Sequence, residues 1–213
     1  MSNKRITELP ALTSLDNDDL LAVVDVSEKV TTKTTYGSLI NNITGSIPPG
    51  LGASGIGWAR YDDTAHVGSG SAFIVSASET QVLPNNAGAI YDEHMHSTVA
   101  FYDSGSSKIQ VENANDVYVA TVTFKARTAN ANQTYFSVKL SSTGTTPYDR
   151  VRKDLYFPKG NSVEHYYHEV FQWYADADFL SNGNQFNISA FTNDIEVYDI
   201  IYFIQRTQNH GGE

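Results

Sequence analysis

The stretch 116–128 reads DVYVATVTFKART, and its two-residue period leaves little choice of conformation. In an extended chain successive side chains point to opposite faces. Tyr118, Ala120, Val122, Phe124 and Ala126 then share one apolar face, and Thr121, Thr123, Lys125 and Arg127 share a wet one. A helix would scatter both sets around its circumference, so the segment is predicted to be a strand with one buried side. Residues 133–141 repeat the scheme with Phe136, Val138 and Leu140 inward. Further strands are predicted over 72–76, 79–83, 98–103, 148–157, 164–175, 184–192 and 195–206, separated by clusters of Gly, Asn, Asp and Ser.

Roughly nine or ten strands without a long helix read as an antiparallel sandwich. Thirteen Tyr and ten Phe, with abundant Thr and Val, fit that reading. The expected fold is all-β, a jelly roll. An immunoglobulin-like sandwich is the weaker choice because the chain is long for one.

Residues 6–43, ITELPALTSLDNDDLLAVVDVSEKVTTKTTYGSLINNI, form a patterned segment too poor in apolar residues to bury a core alone. Leu20 to Val26 read as a strand, Ser27-Glu28-Lys29 as a turn, Val30 to Thr34 as a return strand, and 36–43 as a short helix capped by Thr35. A lone hairpin is marginal in water, so this hairpin-plus-helix is expected to dock on something else. GSIPPGLGASGIG, 45–57, has a linker's composition. The predicted organisation is a segment over 1–45, a linker over 46–57 and a β domain over 58–213.

Composition narrows the functional classes. The net charge is −10, with ten basic against eighteen acidic side chains after residue 45. Such a body repels polyanions, so neither nucleic acid nor a membrane surface is an expected partner. There is no cysteine, which removes disulfides and thiolate metal sites. No apolar stretch follows the basic start MSNKR, so no secretory leader is expected, and no run is long enough to span a bilayer.

Sites of chemistry are sparse. GLGASG at 50–55 matches a dinucleotide fingerprint but lacks the flanking strand and helix that give it meaning. His94-Met95-His96 would present two imidazoles on one face of an extended segment. Three copies around a three-fold axis could offer six nitrogens to a metal, although solvated histidines explain the pair more simply. Asp62-Asp63, Asp92-Glu93 and Asp176/Asp178 are carboxylate pairs that turn caps and solvated edges account for. The basic cluster 150–153 is read as a charge ladder on a strand. No hydrolase, zinc-protease or phosphate-loop motif is present, so no enzyme and no cofactor are expected.

The last strand carries the oligomer argument. From Ile200 to Ile204 both faces are apolar, with Ile200, Tyr202 and Ile204 on one and Ile201 and Phe203 on the other. One face lines the core; the other needs a neighbouring subunit. The period does not say which face is which; Ile200, Tyr202 and Ile204 are taken as the subunit seam, with Ile201 and Phe203 as the alternative.

Three phrases in the N-terminal segment resemble the attachment segment of tailed-phage fibre and decoration proteins. They are Ile6-Thr7-Glu8-Leu9-Pro10, Asp18-Asp19-Leu20-Leu21-Ala22-Val23-Val24-Asp25 and Lys33-Thr34-Thr35-Tyr36-Gly37-Ser38-Leu39. The resemblance covers about forty residues and implies docking to a capsid, collar or tail protein in the virion, after synthesis in the bacterial cytoplasm. Ile6, Leu9, Pro10, Leu15, Leu20, Val23, Val24 and Leu39 are the implied docking residues. It further implies a homotrimeric, tumour necrosis factor-like jelly-roll head. The resemblance also implies a host-surface glycan as an expected further partner, with a glycan-binding tail fibre tip as the alternative reading.

Overall fold

The computed structural model describes residues 20–25, 30–35, 57–95, 97–128, 134–158 and 163–209. The chain divides into two compact units, Met1–Pro48 and Pro49–Glu213. In the first, β1 (Leu20–Asp25) and β2 (Val30–Thr35) pair antiparallel, with Leu20 opposite Thr35 and Asp25 opposite Val30. This is the expected hairpin. The expected helix over 36–43 lies outside the described residues. Of the implied docking residues, Leu20, Val23 and Val24 fall on β1, and Ile6, Leu9, Pro10, Leu15 and Leu39 lie outside the described residues.

The second unit is a two-sheet antiparallel sandwich. Its strands are β3 (Gly57–Asp62), β4 (Phe73–Val75), β5 (Thr80–Val82), β6 (Ala89–Tyr91), β7 (Tyr102–Asp103), β8 (Lys108–Ile109), β9 (Val117–Arg127), β10 (Thr134–Ser142), β11 (Asp149–Phe157), β12 (His165–Tyr174), β13 (Asn184–Ala190) and β14 (Ile195–Gln208). The first sheet runs β12-β9-β14-β3-β6, with β4 also on β14; the second runs β11-β10-β13-β8-β7, with β5 also on β13. From β9 the chain crosses to β10 and β11, returns to β12, crosses to β13 and returns to β14. This alternation between sheets is the nested Greek-key path of a jelly roll.

The inward set of β9 is realised, with Tyr118, Ala120, Val122, Phe124 and Ala126 all buried; of the expected wet face, Thr123 is buried as well. Phe136, Val138 and Leu140 of β10 face them, and Phe171, Phe186 and Tyr202 complete an aromatic core. The buried Tyr202 hydroxyl donates to the Leu83 carbonyl at 2.6 Å, which satisfies a polar group that burial would otherwise penalise. The one helix among the described residues of this unit with α geometry, α1 (Ala177–Asn182), is short. Asp176 caps it by accepting from the Phe179 amide at 2.8 Å. Gly183 ends it at φ 71°, where a Cβ would also stand 3.0 Å from the Ile109 carbonyl.

Five elements depart from expectation. The strand expected over 98–103 shrinks to β7, and β3, β6 and β8 were not anticipated; two- and three-residue strands carry too little periodicity to detect, and the six residues of β3 adjoin a glycine-rich stretch. Gly57 belongs to β3 rather than to a linker. Its backbone lies against the Met95 carbonyl, which a Cβ would approach to 2.2 Å, so the glycine serves close packing. The last departure is in β14. A bulge at Asp199, φ 54°, shifts the register between Tyr198 and Ile201. Inward positions are odd before it (Ile195, Val197) and even after it (Ile200, Tyr202, Ile204, Arg206).

Because Phe136 packs edge-on and face-on among Phe124, Phe157 and Tyr167, Phe136→Ala should cost about 3–5 kcal/mol, read as a lowered urea midpoint with an unchanged slope.

Candidate interaction faces

The bulge decides which side of β14 is available. Ile200, Tyr202 and Ile204 are each at most 1% exposed within a single subunit. They line the sandwich core, and the reading of them as a subunit seam is corrected. The opposite side carries Ile201 and Phe203, both half-buried.

The strand register turns these into rows across the first sheet. One runs Val170, Thr121, Phe203, Arg60, Tyr91; the next runs Gln172, Val119, Gln205, Trp58. Trp58 and Phe203 stack with ring centroids 5.4 Å apart. Tyr166, Val170, Tyr174 and Tyr91 are all exposed around them. Charged groups lie both within these rows and beyond them. Arg60 grips Asp62 through two bonds of 2.7 and 2.8 Å, and Lys125 lies 3.3 Å from Glu164 and 3.2 Å from Asp199. A face that mixes apolar and polar side chains in this way has the usual make-up of a non-obligate protein interface.

The outer face of the second sheet is of another kind. Ser137, Lys139 and Ser141 of β10 lie beside Ser189, Asn187 and Gln185 of β13. Thr80 of β5 shares its hydroxyl with Ser189 at 2.7 Å. At one end Arg150 reaches across to both Asp176 oxygens (2.7 and 2.8 Å) and to Asp178 (3.0 Å), with its guanidinium over the Tyr148 and Phe179 rings. The 150–153 cluster therefore divides: Arg150 is locked into the fold, and Arg152 pairs with Asp154 at 2.7 Å on the surface.

The sequence-predicted sites of chemistry disperse. Asp62 points outward to Arg60, and Asp63 is buried, receiving the amides of His66 (3.0 Å) and Asn86 (3.1 Å). Asp176 and Asp178 serve the helix cap and Arg150. His94 sits in an exposed turn with its ring 5.2 Å from Trp58, and His96 lies outside the described residues. Among the described residues no cluster of three or more His, Asp or Glu is placed to hold a metal ion. No described helix is long and apolar enough to cross a membrane.

One feature the sequence did not single out is Arg206, fully buried at the end of β14 and bonded to Glu112 and Asp116. Lone arginines in a strand pattern carry no signal of burial, and the partners lie about ninety residues away. Burial alone would raise the Glu112 pKa. The Thr98 hydroxyl and amide, with Arg206, outweigh it and hold the carboxyl down at about 2.

No family model matches the chain, and no curated protein matches it. Among solved structures it is similar to Eiger TNF from S. frugiperda (9% identity, 74% of this chain and 96% of that one, TM-score 0.46). It is also similar to the PRD1 vertex protein P5 (9%, 97% and 91%, 0.39) and to a family 16 carbohydrate-binding module (14%, 66% and 82%, 0.32). With every score below one half, the jelly-roll assignment rests on the chain's own strand order.

Glu112 has a folded-state pKa below its ordinary 4.5, so its contribution is present above that value and lost as pH falls toward about 2. Urea unfolding of the wild type should therefore weaken over this window, and Glu112→Gln should flatten that part of the pH profile.

Proposed function

We propose that the chain is a non-enzymatic structural component of a phage virion, docked by residues 1–45 and presenting the jelly-roll unit as a homotrimer. The observation that carries the reading is the outer face of the first sheet. Ile201, Phe203, Trp58, Val119 and Val170 set apolar side chains among Thr121, Gln205 and Arg60 across its strands, and a lone subunit leaves them partly wet. Leaving two or three such half-buried side chains uncovered forgoes roughly 1.5–4 kcal/mol, about half the value for full burial. A second copy of the chain is the simplest cover: in a closed three-fold ring each subunit lays this face against a different surface of the next, so it is buried on every subunit. The choice of three copies, and of a virion as the setting, comes from the resemblance of the N-terminal phrases to phage attachment segments. Engagement of Asp62, Asp176 and Asp178 in ion pairs and caps supports a structural rather than hydrolytic role.

Light scattering should return three times the 23.4 kDa chain mass. Phe203→Asp should reduce it to one chain with the melting transition retained, whereas Ile204→Asp, one residue along but inside the core, should abolish folding. A monomeric wild type at micromolar concentration would remove the seam. A chain shortened to begin at Gly55 should keep its oligomeric mass and fail to join the particle in a binding assay with particles lacking the protein.

A further inference from the structure

The outer face of the second sheet holds an open groove of about 440 Å³ between the end of β10, β13 and β5, within the range of small-ligand sites. Its lining is almost free of apolar aliphatic side chains: Thr80, Ser141, Asp149, Gln185 and Asn187 supply hydroxyls, amides and one carboxylate, and Tyr148 forms a wall. The charge is balanced, since Lys139 approaches Asp149 to 3.2 Å.

We propose that this groove binds a neutral saccharide chain. The Tyr148 ring is 47% exposed and braced by the Arg150 guanidinium 5.0 Å from its centroid, with Arg150 itself pinned by Asp176 and Asp178. A ring held this way is a preorganised platform for the C–H face of a pyranose, with a polar handle at its edge. Sugar hydroxyls donate and accept together, and the adjoining amides and hydroxyls of Gln185, Asn187 and Thr80 do the same. Asp149, already accepting from Ser141 at 2.9 Å, retains lone pairs for a sugar hydroxyl.

Other ligand classes fit less well. A polyanion needs a surplus of cations, which this balanced groove and the −10 chain lack. A peptide added as a strand needs an open edge, but β10 is paired on both sides, by β11 and β13. A second aromatic cluster lies on the same face: Tyr135 stacks on Phe191 at 4.5 Å and neighbours Tyr156 at 6.1 Å. Tyr135 and Ser141 are six residues apart on β10, about 20 Å by strand rise, so an oligosaccharide could reach both ends.

The inference rests on the unit being displayed on a particle only for its biological setting; the binding itself does not. The full-length protein should bind neutral oligosaccharides on a printed array of neutral and acidic glycans, and be retarded in gels containing the matching polysaccharide. Tyr148→Ala and Asn187→Ala should each weaken binding at least ten-fold with unchanged melting temperature, and Tyr148→Phe should retain it. Binding to acidic glycans alone, to none of the array at millimolar concentration, or undiminished in both alanine variants would overturn the proposal. Because the groove and the Phe203 face lie on different sheets, a trimer that binds no glycan removes this proposal alone. A monomer that binds neutral glycan removes the trimeric reading alone.

Discussion

The pairing of β14 with β9, and the bulge within it, governs the rest of the molecule. These are the two longest strands, and they form the middle of the first sheet, between β12 on one side and β3 on the other. Asp199 adopts the left-handed conformation, costly for most residues and tolerated by Asp. Loop contacts hold it there. Its amide donates to the His66 carbonyl at 2.8 Å, and its carboxylate accepts from the Gly68 amide at 2.8 Å. The extra residue lets Val197 and Ile200 both point inward, and the core closes on each side of it. Without it, Ile201 and Phe203 would enter the core, and Tyr202 would lose its bond to Leu83.

With that register set, the sandwich acquires two unlike exteriors. One sheet shows Trp58, Phe203, Ile201 and Val170, flanked by ion pairs; the other shows serines, amides and a braced tyrosine. Both are supported by the same interior, so either can change without disturbing the fold. The exterior chemistry divides labour between faces: apolar area suits self-association, where shape and burial decide, and hydroxyl-rich area suits a wet ligand, where hydrogen bonds decide. Arg206 stabilises one end of the sandwich differently. Its charge is fully buried and is tolerable because Glu112 and Asp116 share it.

Much of this was legible in the residues, and the reason is locality. The inward set of 117–127, the inward set Phe136, Val138 and Leu140, and the pairing of β1 with β2 all follow from side-chain period and turn propensity over a few neighbours. The long strands were found where the period runs far enough to read, while β6, β7 and β8 were too short and the six residues of β3 were hidden beside a glycine-rich stretch.

What only the tertiary structure decided lies wherever two distant segments meet. Period alone puts Ile195 and Val197 on the same side as Ile201 and Phe203, and a one-residue bulge anchored by His66 and Gly68 reverses that, moving Ile200, Tyr202 and Ile204 from seam to core. Gly57 looked like linker because only Met95, far along the chain, reveals its packing role. The polar groove needs β5, β10 and β13 side by side, and Arg206 finds its carboxylates about ninety residues back. The sequence by itself determined which residues alternate, and hence an all-β sandwich. Which face of each strand is inside depends on long-range register, a property of pairs of segments and not of either one.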